Sequence, residues 1–191
     1  MIASSRARAV IGLMAFAGLT EQVLPNMKLR DIPDIVVKGR TVKFKRTPAK
    51  IEFKSPRKQR YFTFLSQEGC RYLALYMKQR IRGGEKLSAS SLVINDTWKL
   101  IWREIENTAH KAGFDYTIPW SFYHYFEHNL GEAASKKEIP KKYLSFWKGS
   151  RHFPDPVKVE EDMLEVYRKA ARKHLATPLR NLRSRLRLLR Q

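Results

Sequence analysis

The pattern of apolar and polar positions predicts one helix, then a short run of strands, then several more helices. Residues 3–18 are rich in Ala, Val, Ile, Leu and Met and end at Gly18, which is typical of a buried helix. A short second helix is expected from Glu21, limited by Pro25. Between about residues 35 and 65, apolar and basic residues alternate. This period of two predicts a small antiparallel sheet of three or four strands.

The predicted sheet has one apolar and one basic face, because successive side chains of a strand point to opposite sides. The side chains expected to face the core are Val42, Phe44, Ile51 and Phe53. The opposite face is then a basic ridge formed by Lys43, Lys45 and Lys54.

The rest of the chain is predicted to be helical, because apolar residues recur every three or four positions. Ser66 and Asp96 are the expected N-caps of two helices, and Gly83 and Gly113 are their expected ends. The later helices are expected to start at Pro119, Pro140 and about Val157, the last of them running to Ala176. The fold class is therefore mainly α, of the α+β type, with helices around a small antiparallel basic β-sheet.

Two parts of the chain are expected: a domain over residues 1–176 and a basic amphipathic helix or tail over residues 177–191. Four leucines recur in the tail at intervals of three or four, and an arginine follows each. These pairs are Leu179 with Arg180, Leu182 with Arg183, Leu186 with Arg187, and Leu189 with Arg190. The leucine stripe predicts either packing on its own domain or docking on a neighbouring subunit or a duplex.

The charge of the chain indicates a polyanionic partner. There are 38 Lys and Arg against 18 Asp and Glu, a net charge of +20. Ten basic residues and one acid lie between Lys38 and Arg60, and nine basic residues and no acid lie between Arg168 and Gln191. Concentration of charge in two blocks is typical of proteins that bind nucleic acid. Two solvated basic faces without a ligand, or an anionic membrane surface, are the alternatives.

Several other classes of protein are disfavoured. The single cysteine, Cys70, excludes a disulfide framework and a multi-cysteine zinc site. No apolar run approaches the ~20 residues of a membrane span. The apolar run Ala9–Leu19, which follows two arginines, has some features of a secretory signal, but a buried helix is the preferred interpretation. We expect a cytoplasmic protein, associated with the nucleoid, that needs no cofactor and does not act on a membrane.

Segments along most of the chain resemble those of a known enzyme family. They are residues 9–24, 60–73 (RYFTFLSQEGCRYL), 84–87, 92–94, 111–114 (KAGF), 119–126 (PWSFYHYF) and 144–150 (LSFWKGS). Over about residues 7–176 the chain resembles the catalytic domain of tyrosine recombinases, the phage-type integrases, and their archaeal branch in particular. The resemblance implies a tyrosine-recombinase catalytic-domain-like helical fold and double-stranded DNA as the partner.

The resemblance also implies that the catalytic residues have been replaced. These enzymes hold the scissile phosphate with arginines, a His or Lys pair and a strand lysine, because negative charge develops there, and a tyrosine attacks it. The vestigial positions are Thr20 for the first arginine, Trp120 and Tyr123 for the H-x-x-R element, and Ser150 for the later histidine. The strand lysine is either Lys50 or Lys58. The short segment 152–156 has no tyrosine, and Tyr167 lies inside a predicted helix.

The leading hypothesis is a non-catalytic nucleic-acid-binding protein, derived from a recombinase or integrase fold, that binds duplex DNA. The candidate binding residues are Lys43, Lys45, Arg46, Lys50, Lys54, Arg57, Lys58, Arg60, His124, Lys148, Arg151, Arg180, Arg183, Arg187 and Arg190. An RNA- or ribosome-associated protein that reuses the fold is one alternative. A recombinase fragment that is active only with a partner is the other. The helix at 179–190 is the expected contact for a second copy or a partner protein.

Two further features, a possible zinc motif and the single cysteine, are interpreted as non-catalytic. His124-Tyr-Phe-Glu127-His128 matches the inverted zinc-protease pattern, but five residues are weak evidence and no third ligand stands at a telling spacing. We therefore expect no metal, and we expect His124 to contact phosphate or to pack. Cys70 lies on an apolar helical face, so a buried structural thiol is expected rather than a nucleophile.

Overall fold

The computed structural model describes residues 3–54, 59–111, 119–150 and 156–175. In these ranges the protein is mainly helical and has two small antiparallel sheets, which confirms the expected class. The helices are α1 (Ser5–Ala17), α2 (Gln67–Arg82), α3 (Trp98–Lys111), α4 (Pro119–Ser135), α5 (Lys141–Trp147) and α6 (Glu160–Ala170). The strands are β1 (Ile35–Lys38), β2 (Thr41–Phe44), β3 (Ala49–Lys54) and β4 (Arg60–Leu65). Short turns of helix lie at Leu24–Asn26, Leu29–Asp31 and Ala171–Leu175.

Helix α1 is the centre of the core. Nine of its 13 residues are buried, and it packs against α2, α3, α4 and β4. It is capped at both ends as the sequence indicates: the Ser4 hydroxyl accepts from the amide of Ala7, and Gly18 closes the helix with a left-handed φ of 67°. A Cβ atom at Gly18 would lie 2.5 Å from the ring of Phe126, so the end of α1 is pressed against α4.

The strands form two separate two-stranded sheets, so the expectation of one sheet of three or four strands is wrong. The link between β2 and β3 explains the separation. Pro48 has no amide hydrogen to continue a ladder. The amide of Lys50 donates instead to the carboxylate of Asp34, at 2.7 Å, so a side chain and not a strand satisfies this part of β3.

Most helix boundaries agree with the apolar pattern. Helix α2 begins after Ser66, whose hydroxyl accepts from the amide of Gly69, and ends at Gly83. The expected helix from Glu21 is instead a turn followed by one 3-10 turn. Asp96 is not the cap of α3, because the helix begins at Trp98 and the Asp96 carboxylate pairs with Arg6 on α1.

The last helix, α6, begins at Glu160, three residues after the expected start. Its main part ends at Ala170 and continues as a π-helical turn over Ala171–Leu175. The predicted helix end at Gly113 and the predicted tail helix at 177–191 lie outside the described residues. Among the helices that are described, none has the length and apolar character needed to cross a membrane.

Candidate nucleic-acid interface

The β1–β2 hairpin presents one apolar and one basic face, as its alternation predicts. The cross-strand pairs Ile35 with Phe44 and Val37 with Val42 lie on the inner face, and Val42 is buried. Lys43, which pairs with Val36, points to the other face and is exposed. The two-residue turn is closed by Gly39, whose φ of 54° lies in the left-handed region.

The exposed cations of this hairpin are the clearest candidate site for phosphate. Lys45 continues the ladder beyond β2, because its amide donates to the carbonyl of Asp34 at 2.8 Å. Lys43 and Lys45 are two residues apart and therefore share the outer face. The exposed cations of this hairpin, which make no ion pair within the described parts of the chain, are Lys38, Arg40, Lys43 and Lys45. We call these four residues the hairpin basic row.

Arg46 and Lys50 do not belong to this open face, although the sequence suggested that they would bind nucleic acid. Arg46 lies 2.9 Å from Asp34 and 2.7 Å from Glu160, and Lys50 lies 2.7 Å from the other oxygen of Glu160. Burial alone would raise the pKa of Glu160, but the hydrogen bonds from these two cations outweigh it and lower the pKa. The two cations therefore join α6 to β3 and to the link that precedes it, and their charges are already paired.

Lys54 and Arg60 lie opposite each other at the open end of the second sheet, and both are exposed. The preceding pair, Phe53 with Tyr61, stacks with ring centroids 5.9 Å apart. The Tyr61 ring also lies 5.3 Å from that of Phe146 on α5. The aromatic contacts fix this end of the sheet against α5 and leave the two cations at the surface.

Further exposed cations lie on α2, where the sequence-based site did not place any. Arg71 and Arg82 are exposed and Lys78 is half-buried, and their spacing of seven and four residues puts them on one helical face. Helix α2 itself packs against β2, the strand that carries Lys43. Their helical spacing is present in the sequence, but they lie outside the two blocks of concentrated charge at 38–60 and 168–191.

The two positions on α4 that the resemblance implies are replaced, Trp120 and Tyr123, lie in an aromatic cluster. The ring of Trp120 lies 5.7 Å from that of Tyr123, perpendicular to it, and 6.0 Å from that of His124. Trp120 is 41% exposed, whereas Tyr123 is only 9% exposed. Burial, with a smaller contribution from the Glu127 carboxylate, raises the pKa of Tyr123 to about 12. Trp120 and Tyr123 are therefore uncharged at the two positions where the resemblance implies polar phosphate ligands.

Glu127 binds two side chains beside this cluster that the sequence suggested would contact nucleic acid. Its carboxylate accepts a hydrogen bond from the ammonium group of Lys148 and lies 3.3 Å from Nδ1 of His124. Burial would raise the pKa of Glu127, but its hydrogen bonds to Lys148 and His124 outweigh this and lower it. Lys148 and His124, both predicted to contact nucleic acid, are thus brought together by a carboxylate that competes with phosphate for them.

The other two positions that the resemblance implies are replaced, Thr20 and Ser150, make local backbone hydrogen bonds. Thr20 is half-buried, and its carbonyl accepts from the amides of Val23 and Leu24 at 3.0 and 3.1 Å. Ser150 is exposed, and its hydroxyl donates to the carbonyl of Ser145 at 2.8 Å. Neither side chain carries a charge that would hold a phosphate.

Tyr167 is fully buried, and its hydroxyl donates a hydrogen bond to the main-chain carbonyl of Phe16. Burial is the main reason that the pKa of this hydroxyl is raised well above its ordinary value. A buried, protonated phenol that is already donating cannot reach a DNA phosphate. Tyr167 is a structural residue.

The described residues offer no metal centre: in the ranges given above, no three His, Cys, Asp or Glu side chains gather closely enough to hold an ion. Cys70 is buried, and its thiol lies 3.5 Å from the carbonyl of Leu65. Burial raises the pKa of this thiol to about 12, so it is unreactive in the folded protein. This agrees with the structural role expected for Cys70.

Part of the predicted site lies outside the described residues. These positions are Arg57, Lys58, Arg151, Arg180, Arg183, Arg187 and Arg190. No family model, no curated protein and no solved structure matches this chain. The functional conclusion therefore depends on the charge and geometry of the described surface.

Proposed function

We propose that this protein binds duplex DNA without cleaving it, using a fold of the tyrosine-recombinase catalytic type. The observation that carries the proposal is the hairpin basic row, four exposed cations without carboxylate partners in the described parts of the chain. A net charge of +20 supplies the long-range attraction for a polyanion. Association with the nucleoid follows as part of the same proposal.

The spacing of the row suits a phosphate backbone. Lys43 and Lys45 are separated by about 7 Å along the strand, which corresponds to about two phosphates along the axis of one DNA strand. Arg40 at the turn and Lys38 beside it extend the row to the tip of the hairpin. Contacts of this kind give affinity and orientation but carry no sequence information. We therefore expect binding that depends strongly on salt and weakly on sequence.

The absence of cleavage is supported by the chemistry of the vestigial positions. Trp120 and Tyr123 carry no charge with which to stabilise a phosphoryl transition state, and Glu127 neutralises Lys148 beside them. Loss of one such donor typically costs about 10²–10³ in rate. Tyr167, the nearest downstream tyrosine, is held in the core by its hydrogen bond to Phe16. A covalent phosphotyrosine intermediate has no nucleophile among these residues.

The binding proposal is tested with a labelled random duplex of about 30 base pairs and an RNA duplex of equal sequence, across about 50 to 300 mM salt. The logarithm of affinity should fall linearly with the logarithm of salt, with a slope of several units, and DNA should bind more tightly. Tighter binding of the RNA duplex would contradict DNA as the partner and indicate RNA. Binding to neither would contradict the proposal.

The non-catalytic part is tested separately with a nicked suicide duplex, which traps a phosphotyrosine adduct when cleavage occurs. We expect denaturing electrophoresis to show no covalent protein–DNA adduct, even after long incubation of the protein with the duplex. A trapped adduct, mapped by mass spectrometry to any tyrosine of the chain, would show that the protein is an enzyme.

A further inference from the structure

Trp120 differs from the other tryptophans of the chain in its exposure. Trp147 is fully buried, and Trp98 and Trp102 are half-buried and stacked on each other. Trp120 lies in the first turn of α4 with 41% of its surface open to solvent. Leaving so much of a large apolar ring in water is unfavourable, so an exposed tryptophan marks a candidate contact for a ligand.

The indole is held in place by its neighbours on the same helix. The buried ring of Tyr123 meets it edge-on, and the ring of His124 lies beside it. His124 is in turn fixed by Glu127, and Glu127 by Lys148 on the adjoining end of α5. A ring that is already ordered loses little conformational entropy when a ligand stacks on it.

The described groups beside the indole suit a nucleobase on a phosphate backbone. Among the described residues, the rings in contact with Trp120 are those of Tyr123 and His124, and the His124 side chain is polar and 49% exposed. The first turn of α4 contains no carboxylate that would repel a phosphate, and Glu127 is neutralised by Lys148. Every base has a π-face, and stacking on an aromatic side chain does not depend on sequence.

We propose that Trp120 is a stacking platform for an unpaired base of a DNA strand, buttressed by Tyr123 and His124. This inference rests on the proposed function, because the hairpin basic row supplies the affinity for the backbone. It adds a preference for DNA in which a base is not paired, such as a single-stranded end. At the positions where the resemblance implies phosphate ligands, Trp120, buttressed by Tyr123, would then bind a base by stacking.

The test compares a blunt duplex with the same duplex carrying a single-stranded oligo-dT extension. The wild type should bind the extended duplex at least about fivefold more tightly, because one stacked base contributes at least that factor. Trp120→Ala should lose this preference and bind the blunt duplex as the wild type does. Trp120→Phe keeps a ring and should keep most of the preference. Leu100→Ala, which removes an apolar side chain of similar exposure on α3, is the matched control and should change nothing.

Fluorescence provides an independent readout. Binding of the extension should quench tryptophan emission in the wild type and not in Trp120→Phe, because the other three tryptophans are buried or stacked on each other. A wild type that binds both duplexes equally, or a Trp120→Ala variant that keeps the preference, would overturn the stacking site and leave the proposed function standing. A wild type that binds neither duplex would overturn the proposed function itself.

Discussion

The hydroxyl of Tyr167 on α6 donates a hydrogen bond to the carbonyl of Phe16 near the end of α1. The last carbonyls of a helix have no partner within the helix. Thr63 on β4 completes the arrangement, because its hydroxyl donates to the carbonyl of Ala17 at 2.9 Å. Two elements distant in sequence thus satisfy the buried end of α1, which joins α6 and the second sheet to the centre of the core.

The first prediction follows from this contact. Tyr167→Phe should lower the free energy of unfolding by about 1–2 kcal/mol, because it leaves the buried Phe16 carbonyl without a partner. Affinity for duplex DNA in the folded protein should not change. Urea denaturation measures the first quantity and a binding titration the second.

Tyr61→Phe is the matched control for this substitution. The Tyr61 hydroxyl bonds to the side chain of the exposed Gln59, which can turn to water when the hydroxyl is removed. We expect a smaller loss of stability than in Tyr167→Phe. An equal loss in the two variants would mean that the hydrogen bond of Tyr167 to α1 stabilises the fold no more than the exposed bond of Tyr61 does.

The second prediction concerns the end of α1. Gly18 and Gly39 have similar left-handed φ values, 67° and 54°, but different surroundings. Gly39→Ala should cost about 1–2 kcal/mol, because alanine is strained at a left-handed φ. No clash adds to this cost, since no atom lies within 4 Å of the added Cβ. Gly18→Ala should cost distinctly more, since the added Cβ would also collide with Phe126. Thermal and urea denaturation of both variants measure the difference, and equal costs would contradict the close packing of α1 on α4.

The third prediction concerns Glu160, which binds both Arg46 and Lys50. Glu160→Gln should lower stability at pH 7 by about 1.5–3 kcal/mol, the value typical of hydrogen bonds to charged groups. The pKa of Glu160 is lowered in the folded protein from an ordinary 4.5, so its contribution is present above about pH 4.5 and is lost as pH falls through the folded value. The gap between variant and wild type should therefore close in acid, which urea denaturation at pH 7 and pH 3.5 would measure.

Glu161→Gln provides the control for Glu160→Gln. Glu161 lies 3.1 Å from the same Arg46, but its side chain is 81% exposed, so the pair is screened by water. We expect a change within experimental error at both pH values. A loss comparable to that of Glu160→Gln would show that the removed charge itself, and not the half-buried contact of Glu160, accounts for the loss of stability.

The apolar pattern was sufficient to predict most of the helices and the faces of the first hairpin. Gly18 and Ser66 mark real helix boundaries, because caps are local and depend on neighbouring residues. The split into two sheets could not be predicted from alternation. It depends on Asp34 reaching the amide of Lys50, a contact between residues 16 positions apart.

The candidate site was predicted less completely. Alternation indicates which cationic side chains point away from the core, but not which of them form ion pairs with carboxylates. Lys43 and Lys50 look equivalent in the sequence, yet Lys50 is paired with Glu160, 110 residues away. In the same way, Lys148 is paired with Glu127 from another helix. Net charge indicated a polyanion, and only the fold distinguishes the available cations from those already neutralised.

The salt dependence of duplex DNA binding by Lys43→Gln/Lys45→Gln is the most direct test of the hairpin basic row. We predict weaker binding and a slope of log affinity against log salt that is shallower by about 2, because about 0.9 counterion is released per phosphate contact and two contacts are lost. The control is Lys136→Gln/Lys169→Gln, which removes the same charge at residues paired with carboxylates elsewhere. The control should keep the wild-type slope. If both double variants behave alike, the hairpin does not hold the DNA and the central claim is wrong.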